Sequence, residues 1–439
     1  MNISLLSVFP ELYDTFLKTS LMQRASEKKL VHYDVDSFFS YVLPKERIDA
    51  PTFGHGAGML IKPEVIEKAI ENKENCYGKA YKIFFSPQGK KLNQPLLKQI
   101  VQNAQKTNHL MLIASRYEGM DDRVEEVYAD LVVSVGDFVL LAGDLPAMMM
   151  LEGFVRLLPG VVGRQESVEK ESFSGPFVDY PEFTAPVTWH GLEVPEVIRS
   201  GNHGAIQEWQ QEKAAEKTVK KHFSWLVSSL LTEHQKKLAR KYIPHHYIAL
   251  MHDQIILPHQ QVGTTSVTSL DIHDIARSAR TFGLKNYFIV TPLLDQQRIV
   301  ERLLDFWKVG EGVEYNQHRH QAVRTVELVD HLEQAIEAIE KKEGKKPLVI
   351  ATSARYHDEH FGEKIITYSD QNKVWENDRP VLLLFGTGHG IAPRVLEQCD
   401  FLLTPVEGFS DFNHLSVRSA VAIILDRWLG INPKVLDKV

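Results

Sequence analysis

The sequence predicts an α/β chain with two parallel sheets, each covered by helices, and a mostly helical segment between them. Three observations predict it. Strand-like apolar runs alternate with helical patterns in two separate stretches, 3–163 and 247–429. Those runs are nearly continuous in apolar residues, as strands buried on both faces require. The stretch between, 180–242, carries helical periodicity without such runs.

In the first stretch, "NISLLSVF" reads as a buried opening strand. The apolar run has no basic flank before it, so it is not read as a signal peptide. "YKIFFSPQG", "HLMLIASR" and "LVVSVGDFVLL" continue the strand series, with helices such as "PEVIEKAIEN" between them. Arg164–Phe177, "RQESVEKESFSGPF", is polar and reads as a linker or lid. The helical segment carries Lys213, Lys217, Lys220 and Lys221, then Lys236, Lys237, Arg240 and Lys241. Lys and Glu at helical spacing usually make a solvated, self-supporting face; a contact for a polyanion is the second reading and needs another feature to support it. The second stretch supplies "YIALMH", "NYFIVTP", "PLVIATSA", "PVLLLFGTG" and "FLLTPVEG", with helices "DIHDIARSARTFG" and "VDHLEQAIEAIEKKEG".

The two stretches echo one another. "MLIASRYEGMDDRVEEVYADLVVSVGDF" and "VLLLFGTGHGIAPRVLEQCDFLLTPVEGF" share the order strand, Gly turn, short helix with Arg-Val, strand, Gly turn, Phe. Two related domains is the reading this favours. Whole-chain totals agree: 439 residues suggest two to three domains. With a net charge of −7 the whole molecule is not an obvious polyanion binder, though a local basic face could still serve. Cys76 and Cys399 are the only cysteines and give neither a disulfide framework nor zinc spacing, so no metal is expected. No run nears the ~18 apolar residues of a membrane span, so no membrane partner is expected.

Three loops follow strands in the first half: Ser86–Leu92, Ser115–Arg123 and Ser134–Met148, "SVGDFVLLAGDLPAM". Ligands of open parallel sheets sit at the carboxyl ends of strands. The third loop has neither G-x-G-x-x-G nor a P-loop lysine, so it is not built for phosphate. Its apolar Val135, Phe138, Leu140 and Leu145 could enclose a flat ring such as adenine, or simply pack a tight turn.

More than half the chain resembles the bacterial TrmD family of tRNA (guanine-37-N1)-methyltransferases. The segments that carry the resemblance are "SVFPELYD", "FGHGAGM", "SPQGKKL", "RYEGMDDRV", "SVGDFVLLAGDLPAM", "RLLPGVVG", "DYPEFTAP" and "VPEVIRSGNHGAIQEW", in family order. The resemblance implies a SPOUT-type domain, with a trefoil knot at the carboxyl end of the sheet, holding S-adenosyl-L-methionine. Its pocket would be lined by Phe84, Phe85, Ser86, Pro87, Ser115, Glu118, Ser134, Val135, Gly136, Phe138, Leu140, Gly143 and Pro146. It also implies a cytoplasmic homodimer with the active site across the subunit interface. The tRNA anticodon stem-loop would be held by the helical domain.

Methylating N1 of guanine requires a base for the N1 proton and a cation for charge building on O6. By resemblance these are Glu171, where the family has Asp, and Arg156, with Asp179 as a further acidic candidate. Other departures are His55 and Ala57 in "GHGAGM", Ser115, Ala142 and Asp144. Gln207 and Glu208 also stand where the family carries an arginine pair.

Residues Tyr247–Gly430 resemble a second SPOUT-type RNA methyltransferase family, on "YIALMH", "TTSVTSLDIHDIARSARTFGLKNYFIVTP", "LLLFGTGHGIAP" and "SDFNHLSVRSAVAIILDRWLG". This implies cofactor residues Phe385, Gly386, Gly388, Gly390, Asn413 and Ser416; Asn413 and Ser416 could instead cap the final helix. Asp271, His273, Asp274, Arg277 and Arg280 form either a substrate-facing cluster or a salt-bridged helix face. No catalytic base stands out in this half.

The expected architecture is therefore a SPOUT domain at 1–165, a linker or lid at 166–177, a helical tRNA-binding domain at 178–242 and a second SPOUT domain at 243–439. The expected function is methylation of N1 of guanosine 37 in tRNA. The competing reading is a non-catalytic tRNA-binding protein with a degenerate cofactor site. A nicotinamide oxidoreductase would need G-x-G-x-x-G after the first strand, which "LLSVFPELYD" lacks.

Overall fold

The computed structural model describes residues 1–54, 56, 58–163, 171–355 and 359–433. His55, Ala57 and the part of the expected linker from Arg164 to Lys170 lie outside them. The chain divides into two compact units, 1–175 and 176–439.

The first unit is built on β1 (Asn2–Ser7), β2 (His32–Ser37), β3 (Tyr81–Lys91), β4 (His109–Ile113) and β5 (Leu131–Ser134). They form one sheet in the order β2-β1-β4-β3-β5, every pairing parallel. Alternation along β1 sends Ile3 and Leu5 to one apolar layer and Leu6 to the other. Helices α1 (Pro63–Tyr77) and α2 (Gln94–Thr107) help supply the covering layers. Their ends are set by sequence: Pro63 opens α1 and Gly78 closes it, while the Asn93 side chain accepts from Leu96 N to start α2.

The segment read as a loop at Ser86–Leu92 belongs largely to β3. Pairing with β5 breaks after Phe85 and resumes at Lys90↔Val133 and Lys91↔Ser134. Gly89 allows this close approach, because a Cβ there would lie 2.7 Å from backbone atoms of Val132 and Val133.

The second unit is built on β6 (His246–Met251), β7 (Asn286–Val290), β8 (Val326–Val329), β9 (Leu348–Thr352), β10 (Ile365–Ile366), β11 (Val381–Gly386) and β12 (Phe401–Leu403). Their order is β8-β7-β6-β11-β9-β12-β10, again all parallel. With the edge strands β8 and β10 removed, β7-β6-β11-β9-β12 repeats the order of the first sheet, strand for strand. The echo seen in sequence pairs β4 with β11 and β5 with β12, and the topology agrees. The edge strands escape sequence reading because they are short and, in β8, broken by the exposed Glu327.

The helical segment contributes to this second core. Val219 of α3 (His203–Lys221), with Phe223, Leu226 and Ala239 beyond it, joins Ile248 and Leu250 of β6 in one apolar cluster. Among the described residues, no helix is long and apolar enough to cross a membrane.

Candidate functional site

Each sheet carries a cavity at the carboxyl ends of its strands. The first, of about 300 Å³, lies where β3, β4 and β5 end and the helix Asp144–Arg156 begins. Its walls are held backbone to backbone. Gly143 N donates to Ser115 O at 2.8 Å, and Arg116 bridges Ala142. A Cβ on Gly143 would lie 3.0 Å from Ser115 N, so glycine is what lets the two loops meet. A short hairpin, Asp49–Pro51 with Met59–Ile61, leans on the second loop: Glu118 N donates to Met59 O, and Ile61 N to Gly119 O. Gly58, at φ +98°, packs where any side chain would collide with Glu118.

The lining includes Phe85, Ser86, Pro87, Ser115, Glu118, Ser134, Val135, Gly136, Phe138, Leu140, Gly143 and Pro146. Phe84 is instead fully buried in the core beneath, because alternation along β3 turns it away. Leu145 is exposed and does not line the cavity. Serine hydroxyls beside apolar rings suit a flat heterocycle with a polar tail, which fits an adenosyl group. Gly136 completes the fit, since a Cβ there would strike the Phe138 ring at 2.5 Å.

Under this cavity sits a buried polar knot that sequence reading missed. Asp144 is 3% exposed and accepts from Ser7 Oγ at 2.6 Å and Tyr13 Oη at 3.0 Å. Arg116 lies 3.8 Å from it and stacks over Phe9 at 4.4 Å. Burial pushes the Asp144 carboxyl above the usual range, against the hydrogen bonds that lower it. The same burial and the Asp144 charge push the Tyr13 phenol up. A carboxylate in a first helical turn was the available signal.

Arg156, in the last turn of that helix, forms an ion pair with Glu171. The structure thus brings together these two expected residues, although neither lines the cavity. Asp179 belongs to the second unit, where its carbonyl accepts from Lys217 Nζ at 3.1 Å. Among the basic residues of the helical segment, Lys213, Lys220, Lys236 and Lys241 are engaged by Glu216, Glu233 or Glu212.

The second cavity, of about 780 Å³, lies at the ends of β6, β9 and β11 and the start of α4 (Val417–Leu429). Phe385, Gly386, Gly388, Gly390, Asn413 and Ser416 all line it. The 386–392 loop is clamped by Ile256 N to Gly390 O at 2.8 Å and Ala392 N to Gln254 O at 2.8 Å. Gly388 and Gly390 take the left-handed region, at φ +55° and +108°. Neither Asn413 nor Ser416 caps α4 by its side chain. Asn413 Nδ2 donates to Ala354 O at 2.9 Å, and the Ser416 hydroxyl bonds that of Ser419 at 2.9 Å.

The helix Ser269–Thr281 divides the two readings of its charged cluster. Asp271 is buried, lines the cavity, and accepts from Thr268 Oγ1 at 2.5 Å and Arg418 at 3.3 Å. Asp274 pairs with Arg418 at 3.8 Å on the outer side, and His273 packs edge-on against Trp307.

Proteins of matching length carry both halves. One from Nitratidesulfovibrio vulgaris, named tRNA (guanine-N(1)-)-methyltransferase, is 38% identical over 98% of this chain and 99% of its own. The chain belongs to the tRNA (guanine-N(1)-)-methyltransferase family.

Within it, residues 1–227 match the family described as tRNA (Guanine-1)-methyltransferase TrmD, and 245–430 that described as SAM-dependent RNA methyltransferase. The Bacillus subtilis member is 38% identical over 54% of this chain and 97% of its own, so it matches the first half alone. A crystal structure of tRNA (m1G37) methyltransferase from Aquifex aeolicus aligns at 30% identity over 50% of this chain and 92% of its own, with a TM-score of 0.42. Membership in both families makes S-adenosyl-L-methionine the methyl donor of this methyltransferase.

Proposed function

We propose that the first half methylates N1 of guanosine 37 in tRNA. The observation that carries this is the Arg156–Glu171 pair, formed in the same unit as a cavity lined by the expected cofactor residues. S-adenosyl-L-methionine, when bound, supplies the methyl group on sulfonium. Phe138 and Leu140 would flank the adenine, with the serines on its polar edges. Glu171 would take the N1 proton as nitrogen gains its fourth bond, and Arg156 would stabilise the charge on O6. Pairing in the resting chain keeps both side chains at one place until the guanine enters between them.

The same reading makes the chain a cytoplasmic homodimer whose first-half loops form a trefoil knot. Val139, Leu141, Leu145 and Met149 are 82%, 89%, 59% and 55% exposed, an apolar face that a second copy would cover. The helical domain, 178–242, would hold the anticodon stem-loop. Supporting this are its exposed aromatics, with Trp189 64% exposed and Phe183 beside Trp209, which offer stacking surfaces for unpaired bases. The half-neutralised lysines contribute less.

The test is transfer of labelled methyl to a tRNA transcript with guanosine at 36 and 37, against one with adenosine at 37. Methyl mapped to guanosine 37 by nuclease digestion is expected in the first transcript only, and that methyl is lost in Arg156→Ala. Binding of tRNA without transfer would establish the non-catalytic reading instead.

A further inference from the structure

The second cavity contains a histidine whose protonation is dictated by its neighbours. His252 follows β6, is 1% exposed, and is fixed through its backbone to Val290 O and Thr265 N. Its Nδ1 lies 3.0 Å from Thr265 Oγ1, which lies 2.5 Å from Thr387 Oγ1, which donates to Met251 O at 2.9 Å. A carbonyl can only accept, so the one Thr387 proton is spent there. The Thr265 proton must then go to Thr387, and Nδ1–H must go to Thr265. Nε2 is left as a bare lone pair, and it is a buried atom without a hydrogen-bond partner among the described residues. His252 is among the residues that line the cavity, and such an orphan calls for a donor.

The cavity's size leaves space for a second occupant. The first cavity, lined by the residues expected to hold the same cofactor, is about 300 Å³, whereas the second is about 780 Å³. The cofactor loops, 385–390 and 404–416, line the second together with His252, Thr265 and Asp271, and Thr265 meets the first of those loops at Thr387. A cofactor on its own loops leaves room for a further planar group against His252.

We propose that His252 Nε2 accepts an N–H of an RNA nucleobase in the second cavity and takes its proton during methyl transfer there. This rests on the reading that the cavity holds S-adenosyl-L-methionine. As the nucleobase nitrogen bonds to the methyl carbon, the electron pair of the broken C–S bond stays on sulfur. The N–H proton passes to Nε2, giving an imidazolium. Asp271, whose charge acts on this ring, offsets that positive charge. Burial holds the free imidazole neutral, with its pKa pushed down to about 4, so the lone pair is present at neutral pH. Thr265 and Thr387 are positioning residues that set the tautomer.

The test uses the full chain carrying Arg156→Ala, which silences the first site. Calorimetry with S-adenosyl-L-methionine is expected to show two sites per chain; a single site would sink the cofactor reading beneath the proposal. Labelled methyl transfer to transcribed tRNA and ribosomal RNA should fall at least a hundredfold on adding His252→Ala, with cofactor affinity unchanged. His252→Gln, which keeps a lone pair, should restore part of it. Long-range ¹H–¹⁵N spectra should show His252 protonated at Nδ1 only, and Thr265→Val should mix the tautomers. Unaltered transfer in His252→Ala overturns the proposal, as does no transfer in the Arg156→Ala chain, or loss of cofactor binding with transfer.

Discussion

Replacing Glu171 by Gln separates a chemical role from a structural one. The substitution keeps the size of the side chain and removes its charge. Arg156 and Glu171 each expose 31% of their side chains, so the ion pair is partly screened. A pair of this exposure is worth at most ~1 kcal/mol of stability. In a unit of this length that moves the melting temperature by ~2–4 °C. Loss of a proton acceptor at the reacting nitrogen instead costs ~10²–10⁴-fold in rate. Glu171→Gln should therefore slow single-turnover methyl transfer at least a hundredfold while the unit melts within a few degrees of the parent. Glu171→Asp restores the charge one methylene short, so it should fall between, since a displacement of ~1 Å costs up to ~10²-fold. The assay is labelled transfer at saturating tRNA and cofactor, with scanning calorimetry on the same samples. Parental rates in Glu171→Gln would refute the assignment of the base.

Asp144→Ala would leave the buried Ser7 and Tyr13 hydroxyls without their acceptor, a loss of ~2–4 kcal/mol. Urea denaturation followed by circular dichroism should show it, and a midpoint unchanged from the parent would contradict the network. Gly143→Ala forces a methyl against Ser115 N and Ala114 Cα, at 3.0 and 3.1 Å. The expected cost is ~1–3 kcal/mol, with weaker cofactor binding by calorimetry because the two cavity walls are pushed apart. The second unit should lose stability in acid through His246. That ring donates to Pro244 O from Nδ1 and accepts from Trp428 at Nε2, and burial pushes its pKa down to about 4 from 6.5. The folded state thus prefers the neutral ring: the contribution is complete above pH 6.5 and is lost as pH falls toward 4. By pH 5 this ring alone costs ~2 kcal/mol, and His252, pushed down to about 4 by its own burial, adds a like amount. All six tryptophans lie in this unit, so their fluorescence in urea at pH 7.5 and pH 5 reads it directly. A pH-independent midpoint would refute the argument.

The parts legible in sequence share a cause. Strands such as β1, β4 and β6 are nearly continuous in apolar residues because helices cover both faces, so the local pattern alone reveals them. The lining of both cavities was legible through the family resemblance, residue by residue; small residues at the strand ends by themselves left a tight turn as the alternative. Phe84 was misplaced within that reading: the side of a strand that a residue faces depends on register, and the pairing of β3 with β4 and β5 sets it. The break at Gly89 and the edge strands β8 and β10 also depend on partners that no local pattern names.

By itself, the sequence determined the two α/β halves, their internal echo and the family, since these rest on residue order along the chain. Only the tertiary structure decided that the halves share one strand order and that Asp144 joins Ser7 and Tyr13 across 137 and 131 positions of sequence. Only it placed the Met251 carbonyl, two threonines and His252 in one hydrogen-bonded series. Hydrogen bonds act over about 3 Å whatever the separation in sequence. The groups that tune a buried acid or expose a lone pair are therefore chosen by the fold and carry no mark in the order of residues.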